Sequence, residues 1–368
     1  MRLRQMKARV GLGDSGRRIA TAGLASAACV LLAGAGGCAS SGLQSPKTRI
    51  GALPFPGITS LYAAADPAGV TPHRYEGGLQ MVFAAEGDRG IIYTTRAGFI
   101  DMAHLRESMD WTWYLARLIE ASPEEQGVRV VRFSHECVDG ELRVPAGLDE
   151  AQRAYVAGLA AYRLLTWHEV STWYGYSLVP LVSEKRSTFT VDDTTSHVVG
   201  VGLGRTLAVA AHSREEYDAA ADDALEALMA RIGALGPSET TRMCDRVKGS
   251  WWQGSSAILL DAHTALRDGA KRPLLAMEDG GVELGPALDG LAPVVGMPPL
   301  GSWWSFAVSG AAGREVERVL GQSRVDGDDD LVRLIEDVAE HAAKEGMRVV
   351  CDVDVTGPGD VELSRHGD

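Results

Sequence analysis

The chain has 368 residues, 45% of them apolar, and carries 36 Lys and Arg against 49 Asp and Glu for a net charge of −13. That length suits one large or two small domains with a substantial core. The acidic balance excludes nucleic acid as a partner, because phosphate backbones are held by clustered Lys and Arg and no basic run follows residue 18.

The N-terminus is the most distinctive stretch. Arg2, Arg4, Lys7, Arg9, Arg17 and Arg18 precede an apolar run over 19–32, and Ala35-Gly36-Gly37-Cys38 is similar to a lipobox with Ala where Leu is usual. Residues 1–37 read as a bacterial lipoprotein signal peptide, and Cys38 as the lipidated mature N-terminus of an exported, membrane-anchored cell-envelope protein. The alternatives are an ordinary secretory signal cut nearby and a short membrane helix, for which the run falls short of the roughly twenty residues a span needs. The signal holds six of the basic residues and one of the acidic ones, so the remainder carries 30 against 48 and nets −18.

Residues 38–49 are small and polar and predict a flexible tether. A main α+β domain is expected over 50–300, with a C-terminal helix and strand unit over 301–368 packed on it. Past Cys38 only Cys137, Cys244 and Cys351 remain, so at most one disulfide forms, and their spacing suits neither a metal knuckle nor a redox pair.

Strands are expected over 79–83 and 90–95 with a turn between them. A helix over 101–121 is apolar nearly all round, with Met102, Leu105, Met109 and Trp113 on one stripe, which predicts burial. Asp149 is placed to cap a second helix running to about residue 176, whose stripe Tyr155, Leu159, Tyr162, Thr166, Glu169, Trp173 and Tyr176 has a carboxylate inside it. Asp192-Asp193 with His197 reads as a polar loop, and Gly200-Val201-Gly202-Leu203-Gly204 as a tight apolar turn lacking the features of a phosphate loop. Ser213 and Glu216 form a capping box for a third helix ending near Gly233. Residues 249–304, with Trp251-Trp252 and Trp303-Trp304, predict irregular packing. An acidic turn at 326–330 leads to a helix over 331–344 that Gly346 ends, followed by a strand over 347–355.

Four residues concentrate the chemistry: Asp101, His104, His168 and Glu169. Ionisable groups on apolar helices pair, bind a metal or face a cleft. Asp101 and His104 are three apart, so the carboxylate can orient the imidazole. If the two helices meet, His104, His168 and Glu169 make a mixed imidazole and carboxylate set suited to a divalent metal with an open position for water. Set against this, His104 could cap a packing layer, Asp101 could favour its helix dipole, and Glu169 could pair with Arg96, Arg106 or Arg163. The metalloprotease pattern is absent, since Thr172 stands where its second His belongs. His135-Glu136-Cys137 offers a weaker candidate, a thiol beside an imidazole.

Tyr93-Thr94-Thr95-Arg96-Ala97-Gly98-Phe99-Ile100-Asp101, His104-Leu105-Arg106, Asp110-Trp111 and His168-Glu169-Val170-Ser171-Thr172-Trp173-Tyr174-Gly175 together resemble an uncharacterised bacterial lipoprotein family, domain of unknown function 4056. The resemblance runs over about 82–300. It is specific in the first segments and looser later, where Lys271-Arg272-Pro273 and Glu278-Asp279-Gly280-Gly281-Val282 are similar to the family's Arg and Asp-Gly pattern. It implies an envelope location and no activity. The leading expectation is an envelope hydrolase in which His104 and His168 bind an ion or act as acid and base, Glu169 is base or ligand, and Asp101 orients His104. The rival is a non-catalytic protein anchored to the membrane by its lipid, binding a cell-wall or surface polymer through aromatic loops.

Overall fold

The computed structural model describes residues 43–46, 48–49, 64–75, 86–177, 184–185, 188–247, 257–259, 273–276, 282–285, 303–346, 348–350, 353–355 and 361–363. The expected signal peptide, Cys38, the strand at 79–83, Trp251-Trp252 and Cys351 lie outside the described residues.

A hairpin of β1 (Ile91–Thr94) and β2 (Gly98–Asp101) delivers the chain to the central helix. Asp101 is the hinge between the two. Its Oδ1 accepts the amide of Ala103 at 2.6 Å and that of His104 at 3.4 Å, so it caps helix α1 (Met102–Ala121) with two otherwise orphaned donors satisfied. Seventeen of the twenty residues of α1 are buried, which makes it the axis of the body.

Next come β3 (Glu124–Glu125), β4 (Val128–His135) and β5 (Val138–Pro145), then helix α2 (Glu150–Trp173). Asp149 and Gln152 close a reciprocal capping box on α2. This helix stops at Trp173, short of residue 176, because Gly175 turns away at φ +94°. Helix α3 (Val191–Ala210) absorbs two stretches expected to be irregular, the Asp192 to His197 segment and the glycine run. Helix α4 (Arg214–Ile232) has the Ser213 and Glu216 box at its start and Gly233 in the left-handed region at its end. Helix α5 (Pro237–Val247) follows, then β6 (Ala257–Leu259), β7 (Leu274–Ala276), β8 (Val282–Leu284) and β9 (Trp304–Val308). Helix α6 (Gly310–Leu320), β10 (Arg324–Asp326), helix α7 (Asp328–Lys344), β11 (Arg348–Val350), β12 (Val353–Val355) and β13 (Val361–Leu363) complete the order.

Among the described residues, β10-β9-β5-β4-β3 form an antiparallel sheet, β1-β2, β7-β8 and β12-β13 are antiparallel pairs, and β11 pairs with β6 in parallel. The protein is α+β, with three packed helices and one principal sheet around a shared aromatic core. Trp304 belongs to that core, and its Nε1 donates to Asp328 at 2.8 Å. Asp328 also takes both guanidinium donors of Arg163 at 2.7 Å, which begins α7 three residues earlier than its apolar pattern suggests. Leu43 packs on the core, Gln44 accepts a bond from Tyr75, and Arg49 is buried, so the chain is already seated inside the stretch expected to be a tether.

The glycines of α3 decide how the site is assembled. A Cβ on Gly200 would lie 2.2 Å from Leu105 O, and one on Gly204 would lie 2.6 Å from Met109 O. Two glycines four apart therefore form a smooth face on which α1 and α3 run parallel at close approach. A Cβ on Gly158 of α2 would instead meet side chains of α3, the Arg205 stem at 2.9 Å and Val201 at 3.0 Å. Gly200→Ala is expected to cost about 1–3 kcal/mol by overpacking, more than the roughly 1 kcal/mol gained in helix propensity, because a backbone carbonyl cannot swing aside. Thermal unfolding checks this: a variant as stable as the parent contradicts the close crossing.

Candidate metal centre

The geometry of the three helices brings their chemistry to one end. The start of α1 supplies His104 and Glu107, the last turns of α2 supply His168 and Glu169, the start of α3 supplies Asp192, Asp193 and His197, and the turn between β4 and β5 supplies His135 and Glu136. Among the described residues, five carboxylates at this end, Asp101, Glu107, Glu136, Glu169 and Asp193, form ion pairs, and every partner is one of the four imidazoles.

His104 sits at the mouth. Its Nδ1 is 3.2 Å from Asp101 Oδ2 and 3.5 Å from Asp193 Oδ1, while its Nε2 faces Glu169 Oε1 at 3.8 Å. His197 Nε2 is 4.0 Å from the same Glu169 oxygen. His168 has its Nδ1 bonded to Glu136 Oε1 at 2.7 Å. His168 thus has Nδ1 occupied by a carboxylate, the arrangement in which a ligating imidazole offers Nε2, while His104 Nδ1 faces two carboxylates at ion-pair distance without a hydrogen bond to either. Ligand atoms of His104, His168 and Glu169 lie within 4.8 Å of one another. A bound ion would draw them in, since metal to ligand bonds of about 2.1 Å place neighbouring donors roughly 3–3.5 Å apart.

Each of three glutamates divides its oxygens in the same way. Glu169 Oε2 accepts the Phe189 amide at 2.9 Å, Glu107 Oε2 accepts the Arg49 amide at 3.1 Å, and Glu136 Oε1 takes His168 and the Thr48 hydroxyl at 3.3 Å. The other oxygens, Glu169 Oε1, Glu107 Oε1 and Glu136 Oε2, are buried with no hydrogen bond, as are His135 Nε2 and both ring nitrogens of His197. Buried polar atoms are nearly always paired, so this concentration of bare acceptors in one chamber marks a place for a ligand.

Backbone strain sits at the same spot. Glu136 has φ +50° and Phe189 has φ +52°, conformations that non-glycine residues occupy at a cost. At Glu136 the positive φ breaks strand alternation at the two-residue turn, so His135 and Glu136 both face the chamber where a regular strand would separate them. At Phe189 it directs the amide at Glu169.

The electrostatics show the excess of negative charge. Burial pushes Glu107 up to about 7 and, with Asp101, pushes Asp192 up to about 6. Burial, Glu169 and Asp192 raise Asp193 well above the carboxylate range. At His104 burial opposes the charged form, but Asp101, Asp193 and Glu169 outweigh it and raise the imidazole; at His168 Glu136 does the same, lifting it to about 10. Burial lowers His135 to about 4 and holds His197 well below the usual histidine range. Both carry a free lone pair at neutral pH.

All four residues singled out in the sequence thus reach one chamber, Asp101 at the back of His104 and Glu169 between His104 and His197. The arginines suggested as partners for Glu169 go elsewhere: Arg163 to Asp328, Arg96 to Arg231 O, and Arg106 to the carbonyls of Val70, Gly87 and Asp88. Glu107, Glu136, Asp193 and His197 were not expected here. For Glu107 and Glu136 the signal is the recurrence of His near Glu, at His104-x-x-Glu107, His135-Glu136 and His168-Glu169; Asp193 and His197 fall outside that pattern. Burial and Glu136 push the Cys137 thiol up to about 12, which works against the thiolate a nucleophile needs. Alkylation of the native protein at pH 8 should label Cys137 no faster than Cys244, also pushed to about 12; rapid selective labelling of Cys137 would contradict this assignment.

Facing helix ends and one hairpin turn thus converge imidazoles and carboxylates on a buried polar centre. The chain belongs to the protein family of unknown function DUF4056, whose model matches residues 33–262. Every chamber residue lies inside that match, which ends before the later Arg and Asp-Gly pattern at 271–282. No curated protein and no solved structure matches the chain.

Proposed function

We propose that this protein is a metal-dependent hydrolase of the bacterial cell envelope, held to the membrane by lipid on Cys38. The observation that carries the catalytic reading is the bare Glu169 Oε1, buried and directed at His104 Nε2 and His197 Nε2 while Phe189 fixes its other oxygen. His104, His168 and Glu169 would hold a divalent ion of the zinc or iron type, with His197 beside them. Asp101 would keep the His104 ring in register. The chemistry such a centre would supply is Lewis acidity that makes a water nucleophilic near neutral pH. The side chains of His104 and His168 are 22% and 13% exposed, against at most 5% for Asp101, Glu136, Glu169, Asp193 and His197, so a substrate would arrive on their side. The anchor rests on the basic, apolar and Cys38 pattern of the N-terminus, and it makes envelope polymers the substrates within reach.

Elemental analysis of tag-free protein tests the centre. Metal bound by the parent and lost in His104→Ala and Glu169→Ala, with the fold retained, supports the enzyme; no metal and collapsed variants support a non-catalytic envelope protein with structural charges. For the anchor, the mass of the mature N-terminus should show Cys38 carrying lipid. An unmodified N-terminus elsewhere would overturn it.

A further inference from the structure

We propose that the chamber holds a second cation, at its deep end, between His135, Glu136 and Glu107. This rests on the reading of the chamber as a metal centre. His135 Nε2 lies 3.7 Å from Glu107 Oε1 and 3.6 Å from Glu136 Oε1, and ligand atoms of His135, Glu136 and His168 all fall within 4.8 Å of one another. The three donors not already engaged by protein, His135 Nε2, Glu107 Oε1 and Glu136 Oε2, are buried without a hydrogen bond, on side chains only 4%, 4% and 1% exposed.

The first set can be completed without these residues, because His104, His168 and Glu169 already offer two imidazoles and a carboxylate. His168 and Glu136, joined at 2.7 Å, form the wall between the two sets. The deep set differs in kind from the one at the mouth. It is closed by the chain itself: the Arg49 amide and the Thr48 hydroxyl cover Glu107 and Glu136. Closed coordination is the mark of a structural ion, open coordination that of a catalytic one. The deep cation would therefore lock the segment at Thr48 and Arg49 against α1 and the β4 to β5 turn, and neutralise charge behind the mouth. Glu136 supports the assignment by its backbone, since a left-handed glutamate is held where glycine would fit without strain.

The test is metal stoichiometry on the full mature chain, loaded with zinc, or with manganese where zinc does not bind, and dialysed. Two ions per chain in the parent, with one retained in Glu107→Gln and in Glu136→Gln and one retained in Glu169→Gln, are the expected values. Two variants on the deep side are used so that a failure of either to fold leaves the other to decide, with circular dichroism confirming the fold. One ion in the parent overturns the second site and leaves the hydrolase reading standing. No ion overturns both. Two ions in the parent that persist in both deep-side variants place the second cation elsewhere and overturn the proposal.

Discussion

Glu169→Gln is expected to weaken binding of the mouth ion at least about a hundredfold, a larger loss than the 10–100-fold typical of residues that merely orient ligands, while leaving the metal-free protein at least as stable as the parent. The second half of that expectation is what separates a ligand from a structural acid. Phe189 can still donate to the amide oxygen of Gln, and the substitution removes one negative charge from beside Asp193, whose carboxyl burial and Glu169 together hold well above its usual range. A ligand bound only by the folded state at a hundred times its dissociation constant stabilises by about 2.7 kcal/mol. The parent should therefore melt higher when metal is added, and the variant should lose the share contributed by the mouth ion. Melting curves with and without metal check this. A variant that is destabilised without metal, or that keeps the parent's full response, would show that Glu169 serves packing alone.

Arg49→Met should destabilise the protein by about 3–5 kcal/mol, the cost of leaving buried charges unpaired. Arg49 enters the body beside the chamber and closes a second, fully buried network. Its guanidinium meets Asp110 Oδ2 at 2.7 Å and Glu86 Oε1 at 2.9 Å, and His73 lies 2.9 Å from Asp110 Oδ1 and 3.3 Å from Glu86 Oε1. Tyr217 donates to Asp110 at 2.5 Å and stacks on Trp113. Without Arg49, the two carboxylates keep one imidazole, a phenol, the Arg74 amide, and Arg89 and Arg106, each 4.0 Å from Glu86. Because domains are stable by only about 5–15 kcal/mol, the loss would be large in denaturant unfolding. A change below about 1 kcal/mol would refute the role assigned to this arginine. Arg49→Lys should fall between the two, since an ammonium cannot span both acids as a planar fork does.

The same network sets the pH response. Burial favours the neutral form of Glu86, but Arg49, His73 and Arg106 outweigh it and hold the carboxyl below the usual range. Its folded pKa is thus below the unfolded one, so its stabilisation is complete above about pH 4.3 and is lost as the pH falls through the folded value. His73 has the opposite sign: Asp110 and Glu86 raise it against burial, and its contribution is complete below about pH 6.5 and fades as the pH rises through the raised value. In Arg49→Met the acid limb due to Glu86 should shrink, which stability measured between pH 3 and 7 would reveal.

The legible parts of the sequence were those with local causes. Asp101, Asp149 and Ser213 start helices because their side chains accept backbone amides two or three residues on, and Gly233 ends one because only glycine enters the left-handed region freely. The periodic apolar pattern of α1 and α2 likewise belongs to the elements themselves. What escaped was set by contacts distant in sequence. Gly200 and Gly204 look like a turn until α1 lies against them. Asp192, Asp193 and His197 look like a solvated loop until the Thr190 amide bonds Asp193 at 2.7 Å and the first turn of α3 is buried in the chamber. His135 and Glu136 should point to opposite faces of a strand, and do not because the turn places Glu136 at positive φ. The acid at 169 was visible as an intruder in an aromatic stripe; its partners across the chamber were not.

The most direct measurement is an anomalous difference map from crystals of the tag-free protein grown with zinc. A peak about 2.0–2.2 Å from both His104 Nε2 and Glu169 Oε1, at the lengths expected for such ligands, is what this arrangement predicts. Peaks confined to surface histidines, with only water between His104, His168 and Glu169, would contradict it.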